Sequence, residues 1–125
     1  MEILLDTHML LWWLADDRRL SEKARARITD PANTITVSAA SAWEIVIKQA
    51  LGKLKMDGDL EQEVLDQGFD MLPVTFAHTA EVLTLPPIHR DPFDRMLVAQ
   101  ARVENLQLLT TDPQIVRYPA NVTEG

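Results

Sequence analysis

Apolar and polar positions along the chain switch repeatedly between the two-residue rhythm of strands and the 3.6-residue rhythm of helices. Ile3 to Leu5 is a short apolar run ending at Asp6, and Met9, Trp12 and Trp13 follow at helical spacing, so a strand passes at once into a helix. Ser21 is placed to cap a second helix through Ile28, and Thr34 to Ser38 (TITVS) has the β-branched alternation of a strand. A helix from about Ala39 to Leu51 stops at Gly52. Asp59 to Gln67 predicts another, with Asp59 and Gln62 at capping-box spacing and Gly68 as its stop. Met71 to Val74 reads as a strand. Thr75 begins a helix to about Leu85, Pro86-Pro87 breaks it, and Pro92 opens a helix to about Asn105. Leu106 to Thr110 is the last clear strand, and the Asn121-Val122-Thr123 sequon reads as a tail. Alternating strands and helices without a tight hairpin signal predict an α/β fold with a mainly parallel sheet covered on both faces. No repeat or linker interrupts residues 1–125, so a single domain is expected.

Composition narrows the chemistry. The chain has 125 residues, 46% hydrophobic and 25% charged, the balance of a soluble globular domain. It contains no cysteine, which excludes disulfides, thiolate zinc sites and cysteine nucleophiles and fits a reducing cytoplasm. Any metal must take oxygen or imidazole ligands. Twelve Lys+Arg against 19 Asp+Glu leave −7, so no global basic field attracts nucleic acid or anionic lipid. The apolar run Met9 to Ala15 is far below the roughly 20 residues of a membrane span, and MEILLD lacks the basic start of a secretory signal. Neither a membrane partner nor export is expected.

Four acids occupy places where a carboxylate should be unwelcome. Asp6 follows Leu4-Leu5 at the carboxyl end of the first strand, and Asp112 follows the last strand in the same way, at the edge where open α/β sheets place ligands. Glu44 shares a helical stripe with Ala40, Ile47 and Leu51, and Asp94 heads the stripe of Leu97, Val98 and Ala101. Each has a structural alternative. Asp112-Pro113 is also a standard N-cap, Ser41 and Glu44 have capping-box spacing, and Asp94 favours a helix N-terminus electrostatically. Asp6 has the weakest alternative, since an acid ending a buried strand has no routine structural job. Convergence of the four would be strongly repulsive unless divalent cations neutralised it, and hard oxygen ligands suit Mg²⁺ or Mn²⁺. Such a site suits phosphodiester hydrolysis.

LLDTHMLLWWL, SAASAWEIVIKQALGKL, HRDPFDRMLVAQA and LLTTDPQI together resemble the PIN-domain ribonucleases, specifically VapC-type toxins of prokaryotic toxin–antitoxin modules, over nearly the whole chain. The resemblance places the family's acidic quartet on Asp6, Glu44, Asp94 and Asp112. It further implies a three-layer α/β/α sandwich, Mg²⁺- or Mn²⁺-dependent endoribonuclease activity on an RNA (tRNA, rRNA or mRNA not resolved), and a homodimer inhibited by a cognate VapB-type antitoxin. Thr110 matches the family's threonine two residues before the last acid, where a hydroxyl can orient a carboxylate, although a plain strand threonine explains it equally well. Asp91 reads as an N-cap. Arg95 could contact phosphate or hold a site carboxylate, with a solvated helix arginine as the commoner outcome. His8, His78 and His89 lack two-on-one-face spacing and receive no catalytic role, and only His8 falls near the expected site.

Trp12, Trp13 and Trp43 fit core or interface better than base stacking, and Trp43 with Val46 and Ile47 suits burial against a partner. Two basic clusters, Arg18 to Arg27 and Lys48, Lys53 and Lys55, could each touch an RNA backbone, the first fitting a solvated helix face better. Two other functions compete. A phospho-acceptor receiver module would need paired acids after the first strand and Lys-Pro after the last, where this chain has Asp6-Thr7 and Asp112-Pro113. A PIN-fold domain that only binds is disfavoured by the intact quartet.

Overall fold

The computed structural model describes residues 1–125. Five strands, β1 (Glu2–Leu5), β2 (Thr34–Ser38), β3 (Asp70–Leu72), β4 (Gln107–Thr110) and β5 (Val122–Glu124), form one sheet in the order β3-β2-β1-β4-β5. Every pairing is parallel. Helices α1 (Thr7–Leu14), α2 (Glu22–Thr29), α3 (Ala39–Ala50), α4 (Leu60–Asp66), α5 (Phe76–Val82), α6 (Pro92–Glu104) and α7 (Pro113–Val116) complete the fold. No helix is long and apolar enough to cross a membrane.

Side chains of β1 alternate between two cores. Ile3 and Leu5 join Met9, Leu10, Ala24 and Ile45 on one face, while Leu4 joins Leu97, Val98, Leu108 and Ile115 on the other. With both faces of the central strands buried, these strands read as continuous apolar runs, as parallel sheets require. Strand order reverses between β1 and β4, where Leu5 pairs with Leu109 and the Asp6 N–H donates to the Leu109 carbonyl. That reversal opens a crevice at the carboxyl ends of the two central strands.

Two handovers at this edge leave almost no connecting chain. Only Asp6 separates β1 from α1, and Ser38 ends β2 while capping α3, its hydroxyl accepting the Ala40 N–H. Helix α3 therefore starts at Ala39, and the alternative Ser41–Glu44 capping box does not form: the Ser41 hydroxyl instead accepts from Thr7. Packing of α3 against both α1 and α6 turns Glu44 inward.

The structure corrects several local expectations. The Asn121-Val122-Thr123 segment is no free tail, because Thr123 pairs with Leu109 in β5 and the Asn121 carbonyl accepts the Leu108 N–H. Asp59 caps α4 through the Glu61 N–H, whereas Gln62 donates to Asp66, so no reciprocal box closes there. His78 is fully buried and serves structure: its Nδ1 accepts the Thr75 N–H in a capping box, leaving Nε2 to bond Glu104.

Candidate metal centre at the carboxyl edge of the sheet

Asp6 is buried at the β1–α1 junction, where it does have a structural job. One carboxylate oxygen, Oδ1, accepts the Met9 N–H and caps α1. The other, Oδ2, accepts the Thr110 hydroxyl proton at 2.5 Å. Thr110 in turn accepts the Asp112 N–H at 3.0 Å, so one hydroxyl links the acids that end the two central strands. Asp112 divides its oxygens in the same way, Oδ1 capping α7 through Gln114 and Oδ2 standing 3.6 Å from His89 Nε2. Capping and a place at the site are thus joint roles of one carboxylate.

Glu44 is buried on α3, 5% exposed, and its Oε2 pairs with Lys48 at 3.0 Å. Its Oε1 is buried without a partner. An ionised oxygen left without a hydrogen bond in a dry site is costly, on the order of 1–3 kcal/mol or more, and a cation removes that cost. Asp94, in the first turn of α6, faces Asp6, Glu44 and Asp91, and burial together with these three negative charges pushes its carboxyl up to about 7. Burial also raises the Asp6 carboxyl, against the opposing hydrogen bonds from Thr110 and Met9. All four acids picked out from the sequence meet at one edge, and Asp91 serves as the cap of α6, accepting from Phe93 and Asp94.

His89 was missed by motif spacing. Its Nε2 lies 2.9 Å from Asp94 Oδ2, and the His89, Asp94 and Asp112 ligand atoms fall within 4.8 Å of one another. Its Nδ1 accepts the Arg90 N–H, which leaves the neutral ring's hydrogen on Nε2 as a donor to Asp94. The available signal was its place five residues before Asp94, separated by a proline-opened helix start.

Arg95 is neither a solvated arginine nor a carboxylate clamp. Its guanidinium donates to the carbonyls of Val82, Leu85, Pro86 and His89 and to the Tyr118 hydroxyl. Tyr118 also accepts the His89 N–H. The loop between α5 and α6, which carries His89, is therefore tied down by a cation that never reaches the site. Trp43 is 64% exposed and edge-on to Phe93, while Trp12 and Trp13 are half-buried.

Helix N-termini offset part of the repulsion among these acids. Asp6 and Asp112 cap α1 and α7, and Asp94 lies in the first turn of α6, so backbone N–H groups face the negative charge. The oxygen-rich donor set, the partnerless Glu44 oxygen and the proton-retaining Asp94 all fit a hard divalent cation.

A five-stranded parallel sheet with acids gathered at its switch point defines a class of protein, and the chain belongs to the PIN domain family, whose profile matches residues 3–121. Ribonuclease VapC22 of Mycobacterium tuberculosis (strain ATCC 25618 / H37Rv) is 30% identical over 131 residues, covering 97% of this chain and 96% of that relative. Ribonuclease VapC16 of the same organism is 44% identical over 62 residues, 46% of this chain and 44% of its own length. The fold is shared with VapBC2 from Rickettsia felis, solved bound to a DNA fragment from their promoter, at a TM-score of 0.71 and 18% identity over 99% of this chain and 98% of that one. DNA-bound VapBC from Salmonella typhimurium matches at a TM-score of 0.67 and 15% identity with the same coverage. A receiver-like module is thereby set aside.

Proposed function

We propose that this chain is a VapC-type endoribonuclease toxin that hydrolyses RNA phosphodiester bonds with Mg²⁺ or Mn²⁺ held by Asp6, Glu44, Asp94 and Asp112. The observation that carries this reading is the convergence of these acids in a partly dry crevice where burial and neighbouring negative charge raise the Asp6 and Asp94 carboxyls and Glu44 Oε1 is left without a partner. A bound divalent cation supplies Lewis acidity toward the phosphate and lowers the pKa of the attacking water. Asp6 and Asp112 hold their orientation through Thr110, and His89 holds Asp94. Lys48 keeps one oxygen of Glu44 in place and leaves the other free to ligate. Asp94, once deprotonated, is also suited to accept a proton from water.

The ribonuclease names of the curated relatives support RNA as the substrate, and the VapBC complexes that share the fold support a VapB-type antitoxin as the partner. A homodimer acting in the cytoplasm belongs to the same reading, and exposed Trp43 and Val46 suit such a contact. The test is cleavage of a structured RNA by the purified chain: cleavage should require Mg²⁺ or Mn²⁺, stop in excess EDTA, and vanish in Asp6→Asn. Undiminished cleavage in EDTA would refute the mechanism.

A further inference from the structure

Beside the acidic crevice lies a cavity of about 570 Å³ between α1, the C-terminal end of α3 and the loop that follows it. Two of its lining residues join it to the acids. Lys48 lines the cavity while its Nζ bonds Glu44, and His8 lines it from the first turn of α1, the helix that Asp6 caps. Gly52, at φ +72°, ends α3 in a turn that only glycine adopts freely, and the chain beyond it brings Lys53 and Lys55 to the same cavity. Lys53 and Lys55 are exposed and form no ion pair. The cavity wall holds four cations (Arg19, Lys48, Lys53, Lys55) against three acids (Asp17, Asp57, Glu63), in a chain whose overall charge is −7. Asp17 is already engaged by Arg19, through bonds of 3.1 and 2.8 Å.

The same wall carries flat π groups. The Arg19 guanidinium stands 5.3 Å from the centre of the Trp12 ring, and the His8 ring is 5.9 Å from it. Indole, imidazole and guanidinium planes are the surfaces on which unpaired bases stack, while ammonium groups take the adjoining phosphates. The volume is of the size that holds one small ligand.

We propose that this cavity is a nucleotide subsite that takes one unstacked base of a single-stranded RNA against Trp12, Arg19 and His8, with Lys53 and Lys55 on the phosphates leading into the acidic crevice. It rests on the ribonuclease reading for its substrate class and adds where the strand runs: past α1 and the α3–α4 loop. Continuity with Asp6 and Glu44 through His8 and Lys48 favours a strand that must reach the acids over a peptide that need only cover the cavity's apolar side. The subsite also answers how a chain of negative charge holds a polyanion, by a local patch rather than a global field.

The experiment is binding of a fluorescein-labelled single-stranded oligoribonucleotide to the full chain, followed by anisotropy with Ca²⁺ in place of Mg²⁺. Lys53→Glu/Lys55→Glu should weaken binding at least 30-fold and flatten its salt dependence, and Trp12→Ala should weaken it about 10-fold with Trp12→Phe recovering most of the loss. Lys23→Glu, on α2 away from the cavity, should stay within two-fold. Hydrolysis of bis(p-nitrophenyl) phosphate with Mn²⁺, a diester with no base to stack, should be unchanged in Lys23→Glu; a wild-type chain inert toward it counts against the ribonuclease reading and not against the binding result. Oligonucleotide binding indifferent to these substitutions overturns the subsite. So does a wild-type chain that binds no oligonucleotide.

Discussion

Thr110 donates its hydroxyl proton to Asp6 Oδ2 and accepts the Asp112 N–H in the same oxygen, joining acids that lie 106 residues apart in sequence at the ends of paired strands. Removing that hydroxyl while keeping its shape tests its part in orientation. Thr110→Val should leave the fold intact, because the residue is fully buried between packed strands, yet lower kcat at least 10-fold. Thr110→Ser should keep most of the activity. Circular dichroism alongside initial rates separates the two effects, and an unaffected Thr110→Val rate would make the hydroxyl merely structural.

Asp94 governs a pH dependence whose sign is fixed by its raised carboxyl, about 7 against an ordinary 3.8. The folded chain holds this proton more tightly than the unfolded one, so without metal its stability falls as pH rises from about 4 through 7. Asp94→Asn removes that loss. At pH 8 in EDTA this variant should be more stable than the native chain by about 2 kcal/mol, allowing for the group's partial exposure, and it should be inactive with metal. Urea titrations at pH 4, 5 and 8 measure the difference, which should shrink to roughly a third at pH 5 and nearly disappear by pH 4.

The same proton competes with a cation for Asp94. Mn²⁺ affinity measured by calorimetry should therefore increase between pH 6 and pH 8, with proton release on binding. An affinity flat across that range would remove Asp94 from the ligand set.

His89 is held as a donor by the Arg90 N–H on its other nitrogen. His89→Ala should lower metal affinity and activity by about 10- to 100-fold, the usual range for a residue orienting a ligand. His89→Gln, which retains an N–H donor, should recover part of both. Equal loss in the two variants would point to the ring itself.

Arg95 should matter for stability before it matters for rate. Arg95→Met leaves the Leu85 carbonyl without its donor, strips a second donor from the carbonyls of Val82 and Pro86, and should destabilise the chain by about 2–4 kcal/mol. Arg95→Lys should recover little, since one ammonium cannot reproduce the fan of a guanidinium. Thermal unfolding of the three proteins checks this.

The acids were legible because each broke a local rule. Glu44 and Asp94 sat on apolar stripes, and Asp6 and Asp112 ended apolar runs, so the conflict between charge and burial was visible without coordinates. The strands β1 and β4 were legible for a related reason, since burial on both faces makes their central residues apolar, and β2 was legible from the β-branched alternation of TITVS. β5 was not, because an edge strand of three residues, two half-buried and one exposed, has little pattern to show. The double duty of Asp6 escaped because a cap is recognised by the helix start behind it, and here the strand runs to the preceding residue. His89 and Arg95 owe their positions to one loop folded over Tyr118, contacts that bridge residues 82 to 118 and leave no periodic trace.

Because β1 and β2 hand over to α1 and α3 with one residue or none between them, the acidic edge has no slack. Inserting a single residue after Ser38 would swing Glu44 by roughly 100° about the helix axis and aim it away from the crevice. Other connections are built otherwise, with stretches such as residues 15–21 and 51–59 between elements. Changes in chain length among relatives should therefore collect there, leaving the junctions at Asp6 and Ser38 as the fixed gauge against which the rest of the protein varies.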